Sequence, residues 1–486
     1  MTRIAVATNR TCYFNDIAEE IRLFTGMADI FLETEETQAS YDRCIRVDVE
    51  NTGDGFRASA TLDSFAYTHF LPCEATATAL IQKKIEKRAV KIAVFRVCRQ
   101  AYATKTPWGS LTGIRPTKLY RELTAAGENA EDAFLHTFDV STEKTALARE
   151  ICRVQQPFVD SAKANDIDIY IGIPFCKTRC LYCSFAAELA GDGKKLEVYL
   201  KILHQDVRSG AALLALGNYH VRSIYFGGGT PTVLSATQLD ALLTTATDVY
   251  GDLSKMECTV EAGRPDTITE EKLVVLKAHG VSRISINPQT MNDETLRRVG
   301  RTHTAKDIED TVQLARRVGF SSINMDLIAG LPGETRTDFL QSLRRIAALS
   351  PENLTVHSLA IKRSSMLKAH MEEYELATPK EVDGMIAAGY EAARCMGLLP
   401  YYMYRQKYMS GNLENVGYAL PDKVCAYNID MMEETTSILA HGAGAMSKRV
   451  FANEQRIERI PNPKDISTYC EKLPRLIEER THLFCD

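Results

Sequence analysis

From residue 167 to residue 357 the chain alternates short apolar runs with longer stretches whose apolar positions recur every three or four residues. The short runs, 168–173, 221–226, 256–261, 282–286, 321–328 and 353–357, predict β-strands. The stretches near 194–215, 236–249, 270–279, 293–299, 305–318 and 336–349 predict helices. Strand and helix in strict alternation predict right-handed βαβ units, a parallel sheet and an α/β fold, and six such units suit an open, partial (β/α)6 barrel. The punctuation agrees with this register. Ser235 with Gln238, and Thr267 with Glu270, have the form of capping boxes, and Gly280 and Gly319 stand where helices should stop.

The flanks read differently. Before residue 160 the pattern predicts strands at 3–7, 44–49 and 55–62, a helix at 76–87 and a helix at 142–163 broken at Pro157. The segment PWGSLTGIRPTKLYR holds the single tryptophan, Trp108, with Arg115, Lys118 and Arg121. It reads as a domain-joining turn before a solvated basic helix, or as an anionic-ligand contact. After residue 370 come a helix at 380–396, tyrosines at 401, 402, 404 and 408, a glycine turn at 441–445 and a helix at 463–479. The tyrosines suit core or interface packing, or the cover of a flat ligand. The expected division is an N-terminal α+β accessory domain at 1–163, the barrel at 164–370, and a mostly helical extension at 371–486 that covers the active site.

Composition narrows the setting. At 486 residues the chain has room for roughly two to four domains. With 45% hydrophobic and 25% charged residues it has ordinary globular composition, and its net charge of −5 gives no basic field for nucleic acid. No apolar run reaches the roughly 18 residues of a membrane span, and the N-terminus lacks the pattern of a secretory signal. Thirteen cysteines, mostly single, do not form a disulfide framework, so a reducing cytoplasm is expected.

Chemistry concentrates at the predicted strand ends, where parallel barrels carry their working residues. Directly after the first strand, Cys176, Cys180 and Cys183 form a C-x3-C-x2-C loop. Such a loop can hold an iron-sulfur cubane by three irons and leave the fourth open. A zinc site completed by a distant ligand and a set of buried thiols are the alternatives. After the second strand, residues 227–232 read GGGTPT, which lets the backbone approach a ligand closely. The third strand ends at Glu261, the fourth runs into Asn287-Pro288-Gln289-Thr290 with Arg301 beyond a short helix, and the fifth carries Asp326.

These residues resemble the radical S-adenosylmethionine family, and within it the oxygen-independent coproporphyrinogen III oxidases. The resemblance spans about 165–450 and rests on Tyr170 with IPFC, the cysteine loop, Gly227 to Thr232, and DLIAGLP at 326–332. PWGSLTGIRPTK and the later RQKYMSGNLENVGY are similar to the HemZ-type branch, the coproporphyrinogen dehydrogenases. The resemblance implies that Cys176, Cys180 and Cys183 hold a [4Fe-4S] cluster with Tyr170 close by. It implies that Gly228, Gly229 and Thr230 line the methionine part of S-adenosyl-L-methionine. Glu261, Gln289, Arg301 and Asp326 match positions that contact this cofactor, Arg301 suiting its carboxylate, and Glu261 and Asp326 its hydroxyls or ammonium.

The implied activity is removal of hydrogen from a substrate propionate by a 5′-deoxyadenosyl radical. Loss of carbon dioxide and one electron then leaves a vinyl group, twice per coproporphyrinogen III. The implied partners are this tetrapyrrole and an electron donor such as flavodoxin or ferredoxin. Arg283, Lys362, Arg363, Arg405 and Lys407 are candidate carboxylate clamps. Two positions depart from the oxidase pattern: Gly172 stands in place of a histidine, and Phe185 in place of a fourth cysteine, as in the related haem-chaperone branch. That branch's His-Asn pair corresponds to Tyr427-Asn428. A radical enzyme acting on another tetrapyrrole and a non-catalytic haem-binding or delivery protein are the alternative functions.

Overall fold

Alternation of buried and exposed positions builds the first sheet. In β1 (Arg3–Thr8), β2 (Asp29–Leu32), β3 (Arg43–Asn51), β4 (Gly55–Leu62) and β5 (Phe65–Pro72) one face carries Ile4, Val6, Ile45, Val47, Ala58 and Ala60, all essentially inaccessible. The strand order is β2-β1-β3-β4-β5, with β1 parallel to β2 and β3 and the remaining pairs antiparallel. The apolar face is covered by α1 (Phe14–Thr25) and α2 (Ala79–Ala101), which buries Ala89, Val90, Ala93, Val94 and Val97 at helical spacing. Each of these fully buried valines contributes roughly 1.5–3 kcal/mol. Helix α2 runs well past the predicted 76–87, and β2 and β5 were not predicted. The exposed pattern of β5 leaves little apolar alternation to read.

The computed structural model describes all residues except 1, 27, 35–40, 103, 105, 114, 407, 408, 452, 453, 455 and 486. Two units emerge, Met1–Arg149 and Glu150–Asp486. Trp108 is fully buried in the first, followed by a helix at Pro116–Ala125. Helix α3 (Thr142–Ser161) passes through Pro157 without a break.

The second unit holds the barrel. Its strands are β6 (Asp166–Ile173), β7 (His220–Gly228), β8 (Glu257–Gly263), β9 (Arg283–Ile286), β10 (Ile323–Ala329) and β11 (Asn353–Ser358), adjacent in sequence order and all parallel. Between them run α4 (Lys194–Gly217), α5 (Ala236–Tyr250), α6 (Glu270–Ala278), α7 (Asp293–Arg298), α8 (Ala305–Val318) and α9 (Arg336–Leu349). The partial (β/α)6 barrel is thus realised. In β6, Ile167, Ile169, Ile171 and Ile173 are inaccessible on one face, while Asp168 and Tyr170 point the other way, toward Ser223 and Tyr225 of β7. Ser235 and Gln238 make a reciprocal capping box at α5. The cap of α6 is Thr269, not Thr267, whose hydroxyl donates to Arg264 O instead.

Residues beyond 370 complete both edges of this sheet. Helix α10 (Pro379–Cys395) leads to β12 (Leu399–Tyr404) and β13 (Asn415–Ala419), antiparallel beside β11. Helix α11 (Ala426–Glu433) leads to β14 (Ser437–His441), which pairs parallel with β6, and then to β15 (Met446–Phe451) and β16 (Arg456–Pro461). The chain closes with α12 (Ile466–Cys485). Among the described residues no helix is long and apolar enough to cross a membrane.

Candidate active site

The C-terminal ends of the parallel strands converge on the cysteine loop. Phe175-Cys176 pairs with Glu188-Leu189, and Ala190 N donates to Cys176 O across 3.0 Å, so the loop leaves and re-enters at one point. Leu181 N donates to Val299 O (3.0 Å) and Leu367 N to Leu181 O (2.9 Å), pinning the middle of the loop to two other strand-end segments. Gly229 N donates to Ile173 O and Thr230 N to Phe175 O, each at 2.8 Å, and the Thr230 hydroxyl faces Cys176 Sγ at 3.6 Å. A Cβ on Gly229 would lie 2.4 Å from the Phe175 carbonyl oxygen, so only glycine allows this approach. Gly228, at φ 110°, turns the strand end toward the Tyr170 hydroxyl.

Aromatic rings wall the interior below the loop. Tyr225 stacks on Tyr427 at 4.5 Å between centroids, and Tyr170 stacks against both at 6.3 and 6.4 Å. Tyr427 arrives on α11, whose first amides Ala426 N and Tyr427 N donate to Glu257 at 2.9 and 3.2 Å. Arg283 Nη2 donates to Lys423 O and Val424 O at 2.8 and 3.0 Å. Arg283 is therefore buried in support of α11 and is no carboxylate clamp.

Two carboxylates face this aromatic wall. Tyr225 Oη donates to Glu261 Oε1 across 2.7 Å and Gly228 N to Oε2 across 3.3 Å. Enclosure by the barrel pushes the Glu261 carboxyl up to about 7, with Asp326 adding to the rise. Asp326 behaves oppositely. Burial works to raise its pKa, but His357 and the Asn324 amide, which donates to Oδ1 across 2.8 Å, hold it below the usual range. His357 Nε2 lies 3.7 Å from Asp326 Oδ2, and Tyr404 Oη lies 3.3 Å from His357 Nδ1. Gln289 takes a left-handed φ of 67°, its backbone bonded to Asp326 O and Ile328 N at 2.8 and 3.0 Å.

Arg301 is buried beside Cys180 and Tyr182, with Nη1 donating to Asn287 O across 2.6 Å. Its Nε is buried and has no hydrogen-bond partner among the described residues. A guanidinium with an unmet donor in a closed site fits a carboxylate-bearing ligand. The thiols fit a cluster. All three are free and partly buried, and burial first, then their mutual proximity, pushes the Cys176 and Cys183 thiols up. Among the described residues no three His, Cys, Asp or Glu side chains gather on one metal ion. Three cysteine thiols on one short loop are the donor type that an iron-sulfur core takes.

Of the other expected clamps, Arg363 is exposed, Lys362 is half-buried, and Arg405 is buried with Nη2 donating to Asn412 O across 2.8 Å. Lys407 and Tyr408 lie outside the described residues. Tyr401 and Tyr402 pack in a buried cluster with Val424, Cys425 and Tyr427. The sequence assigns no role to Tyr225 or His357, and it marks Tyr404 only as one of four packing or ligand-covering tyrosines and Tyr427 only as the counterpart of the haem-chaperone histidine. Period-2 counting back from Gly227 marks Tyr225 as interior, and His357 ends a predicted strand, whereas Tyr427 comes from a helix with no local signal.

Comparison with known proteins identifies the family. Residues 170–346 match the radical SAM superfamily. The oxygen-independent coproporphyrinogen-III oxidase-like protein HemZ of Bacillus subtilis is 42% identical over 380 residues, 77% of this chain and 76% of that protein. Heme chaperone HemW of the same organism is 35% identical over 44% of this chain and 55% of its own length. The structure of coproporphyrinogen III oxidase HemN from Escherichia coli shares the fold at a TM-score of 0.53 and 24% identity, over 67% of this chain and 72% of that one. With the cysteine loop, glycine turn and strand-end carboxylates in the matched region, the chain belongs to the radical SAM superfamily and, within it, to the HemZ family, and its cofactors are a [4Fe-4S] cluster and S-adenosylmethionine.

Proposed function

We propose that this chain converts propionate side chains of coproporphyrinogen III to vinyl groups without oxygen, forming protoporphyrinogen IX. The observation that carries the reading is the free Cys176, Cys180 and Cys183 loop held against Gly229 and Thr230, in a chain 42% identical to an oxidase-like relative. When bound, the cluster and S-adenosylmethionine supply one-electron chemistry, in which a hydrogen atom leaves a propionate β-carbon and carbon dioxide and one electron follow.

The chain's own residues supply placement and charge. Cys176, Cys180 and Cys183 hold the cluster. The backbone at Gly228, Gly229 and Thr230 receives the methionine part of the cofactor, with Tyr170 beside it. Arg301 offers its unmet Nε to the carboxylate, and Gln289 holds its strand end in a fixed, left-handed turn. Glu261 and Asp326 accept from hydroxyl or ammonium groups, and Tyr225 and His357 steady them. Tyr404 and Tyr427, from residues 371–486, cover the site and limit water. Lys362 and Arg363 are the remaining described candidates to meet substrate carboxylates. An electron donor of flavodoxin or ferredoxin type completes the reaction.

Anaerobic reconstitution, then incubation with reductant, S-adenosylmethionine and coproporphyrinogen III, tests the reading. It expects 5′-deoxyadenosine and protoporphyrinogen together, and neither in Cys180→Ala. A second reading, haem delivery, draws on the 35% identity to HemW. Against it, the position that corresponds to the haem-chaperone histidine is Tyr427, which offers no imidazole. Stoichiometric haem binding without 5′-deoxyadenosine would select it.

A further inference from the structure

The three residues between Cys176 and Cys180 are each tied to the barrel from outside the loop. Lys177 Nζ meets Asp266 O at 3.2 Å and Asp266 Oδ2 at 3.4 Å. The Thr178 hydroxyl accepts from Arg264 Nη1 across 2.6 Å and donates to Gly300 O across 2.9 Å, so both its capacities are used. Arg264 Nη1 also reaches Thr178 O at 3.2 Å, and Arg179 Nη2 donates to Ser364 O at 3.0 Å.

Arg264 and Asp266 form the hub of these ties. Arg264 is 3% exposed and grips Asp266 with two nitrogens, Nε to Oδ1 at 3.1 Å and Nη2 to Oδ2 at 3.3 Å. Asp266 Oδ2 also accepts from the Thr302 hydroxyl at 3.0 Å. The pair therefore holds two things at once: the middle of the cysteine loop through Thr178, and the segment that carries Arg301 through Thr302. A Cβ on Gly300 would lie 3.1 Å from Arg179 O, so loop and segment are already in close contact. A planar guanidinium bidentate to a carboxylate fixes orientation as well as distance, which a flexible ammonium does not.

We propose that Arg264 and Asp266 are positioning residues that set the register between Cys180 and Arg301, coupling the cluster loop to the pocket for the carboxylate of S-adenosylmethionine. Neither touches a reacting atom. The inference rests on the reading of Arg301 as the carboxylate contact. Outer partners of metal ligands typically change affinity by about 10–100-fold when removed. The same scale applies here to a cofactor that must meet both the cluster and Arg301.

The test uses the anaerobically reconstituted full chain with Asp266→Asn, Arg264→Gln, Arg264→Lys and Arg301→Ala. It measures iron per chain, the dissociation constant of S-adenosylmethionine and the change that this cofactor produces in the electron paramagnetic resonance spectrum of the reduced protein. Asp266→Asn is expected to keep its iron, weaken cofactor binding about tenfold and shrink the spectral change. Arg264→Gln is expected to lose half its iron or more, and Arg264→Lys to recover part of it. Weak binding by Arg301→Ala with wild-type binding and spectrum in Asp266→Asn overturns the proposal alone. Wild-type binding by both defeats the reading of Arg301 as well. Iron loss in Arg264→Gln that tracks a fall in melting temperature and is not rescued by Arg264→Lys also overturns it, leaving the pair as scaffold. Failure to form a vinyl product, with all these readouts as expected, bears on the substrate only.

Discussion

Tyr225 donates its hydroxyl to Glu261 Oε1 across 2.7 Å while its ring lies on Tyr427, centroids 4.5 Å apart. One side chain thus orients the Glu261 carboxylate and closes the barrel beneath it. Tyr225→Phe keeps the ring and removes the bond. A hydrogen bond to a charged group is worth about 1.5–3 kcal/mol, so cofactor binding should weaken roughly tenfold or more with the fold intact. Isothermal titration beside a thermal melt checks this. An unchanged dissociation constant would show that Glu261 needs no such support.

Glu261 also makes binding depend on pH. Its carboxyl titrates at about 7 in the folded, ligand-free chain, so at pH 6 it is mostly protonated and must ionise to meet an ammonium group. Affinity for S-adenosylmethionine should rise by about tenfold between pH 6 and pH 8, with proton release on binding near pH 6. The sign for stability is opposite. The raised pKa means that the unfolded chain gives up this proton first, so the contribution of Glu261 to stability falls between its ordinary value of 4.5 and about 7. Glu261→Gln should flatten both profiles, and binding titrations in two buffers of different ionisation enthalpy read the first directly.

Much of this site was legible because strand and loop chemistry are local. The six parallel strands announce themselves by short apolar runs, and Cys176, Gly229, Glu261 and Asp326 follow from their ends. What was not legible depends on distant pairing. Arg283 reads as an available cation beside a strand, yet it is consumed by the carbonyls of Lys423 and Val424, some 140 residues on. Strand β14 completes the barrel edge beside β6 after 260 or so residues of intervening chain, and no local pattern states that partner. Thr267 had capping-box spacing to Glu270, but its hydroxyl found Arg264 O, and Thr269 took the cap.

The barrel edge is locked by a buried ionic cluster. Asp206 accepts from His441 Nδ1 at 2.9 Å, Gly442 N at 3.0 Å, Tyr469 and Arg480, all of them inaccessible or nearly so. Burial works to raise the Asp206 pKa, but His441 and Arg480 overcome it and hold the carboxyl well below its ordinary value of 3.8. Its stabilising contribution is therefore full above that value and is lost as pH falls toward the folded pKa. Asp206→Ala leaves Arg480 buried without its counter-charge and should cost about 3–5 kcal/mol, read as a lower melting temperature at pH 7. The difference from wild type should narrow in acid.

Gly442 brings this cluster against the site. Its φ is 99°, and a Cβ there would lie 2.6 Å from both Gly172 O and Tyr199 Oη. Gly442→Ala should destabilise the chain by about 1–3 kcal/mol through backbone strain, before any cost of the clash. Because Gly172 stands in β6 four residues before Cys176, iron retained after reconstitution should fall too. Full iron content at wild-type melting temperature would contradict the packing described here.

Removal of a propionate hydrogen by this chain is tested most directly with coproporphyrinogen III deuterated at the β-carbons of its propionates. Incubated anaerobically with the reconstituted chain, reductant and S-adenosylmethionine, it should yield 5′-deoxyadenosine that carries deuterium, in step with vinyl groups and carbon dioxide. Unlabelled 5′-deoxyadenosine with no vinyl product would contradict it, showing that the substrate's hydrogen is never removed.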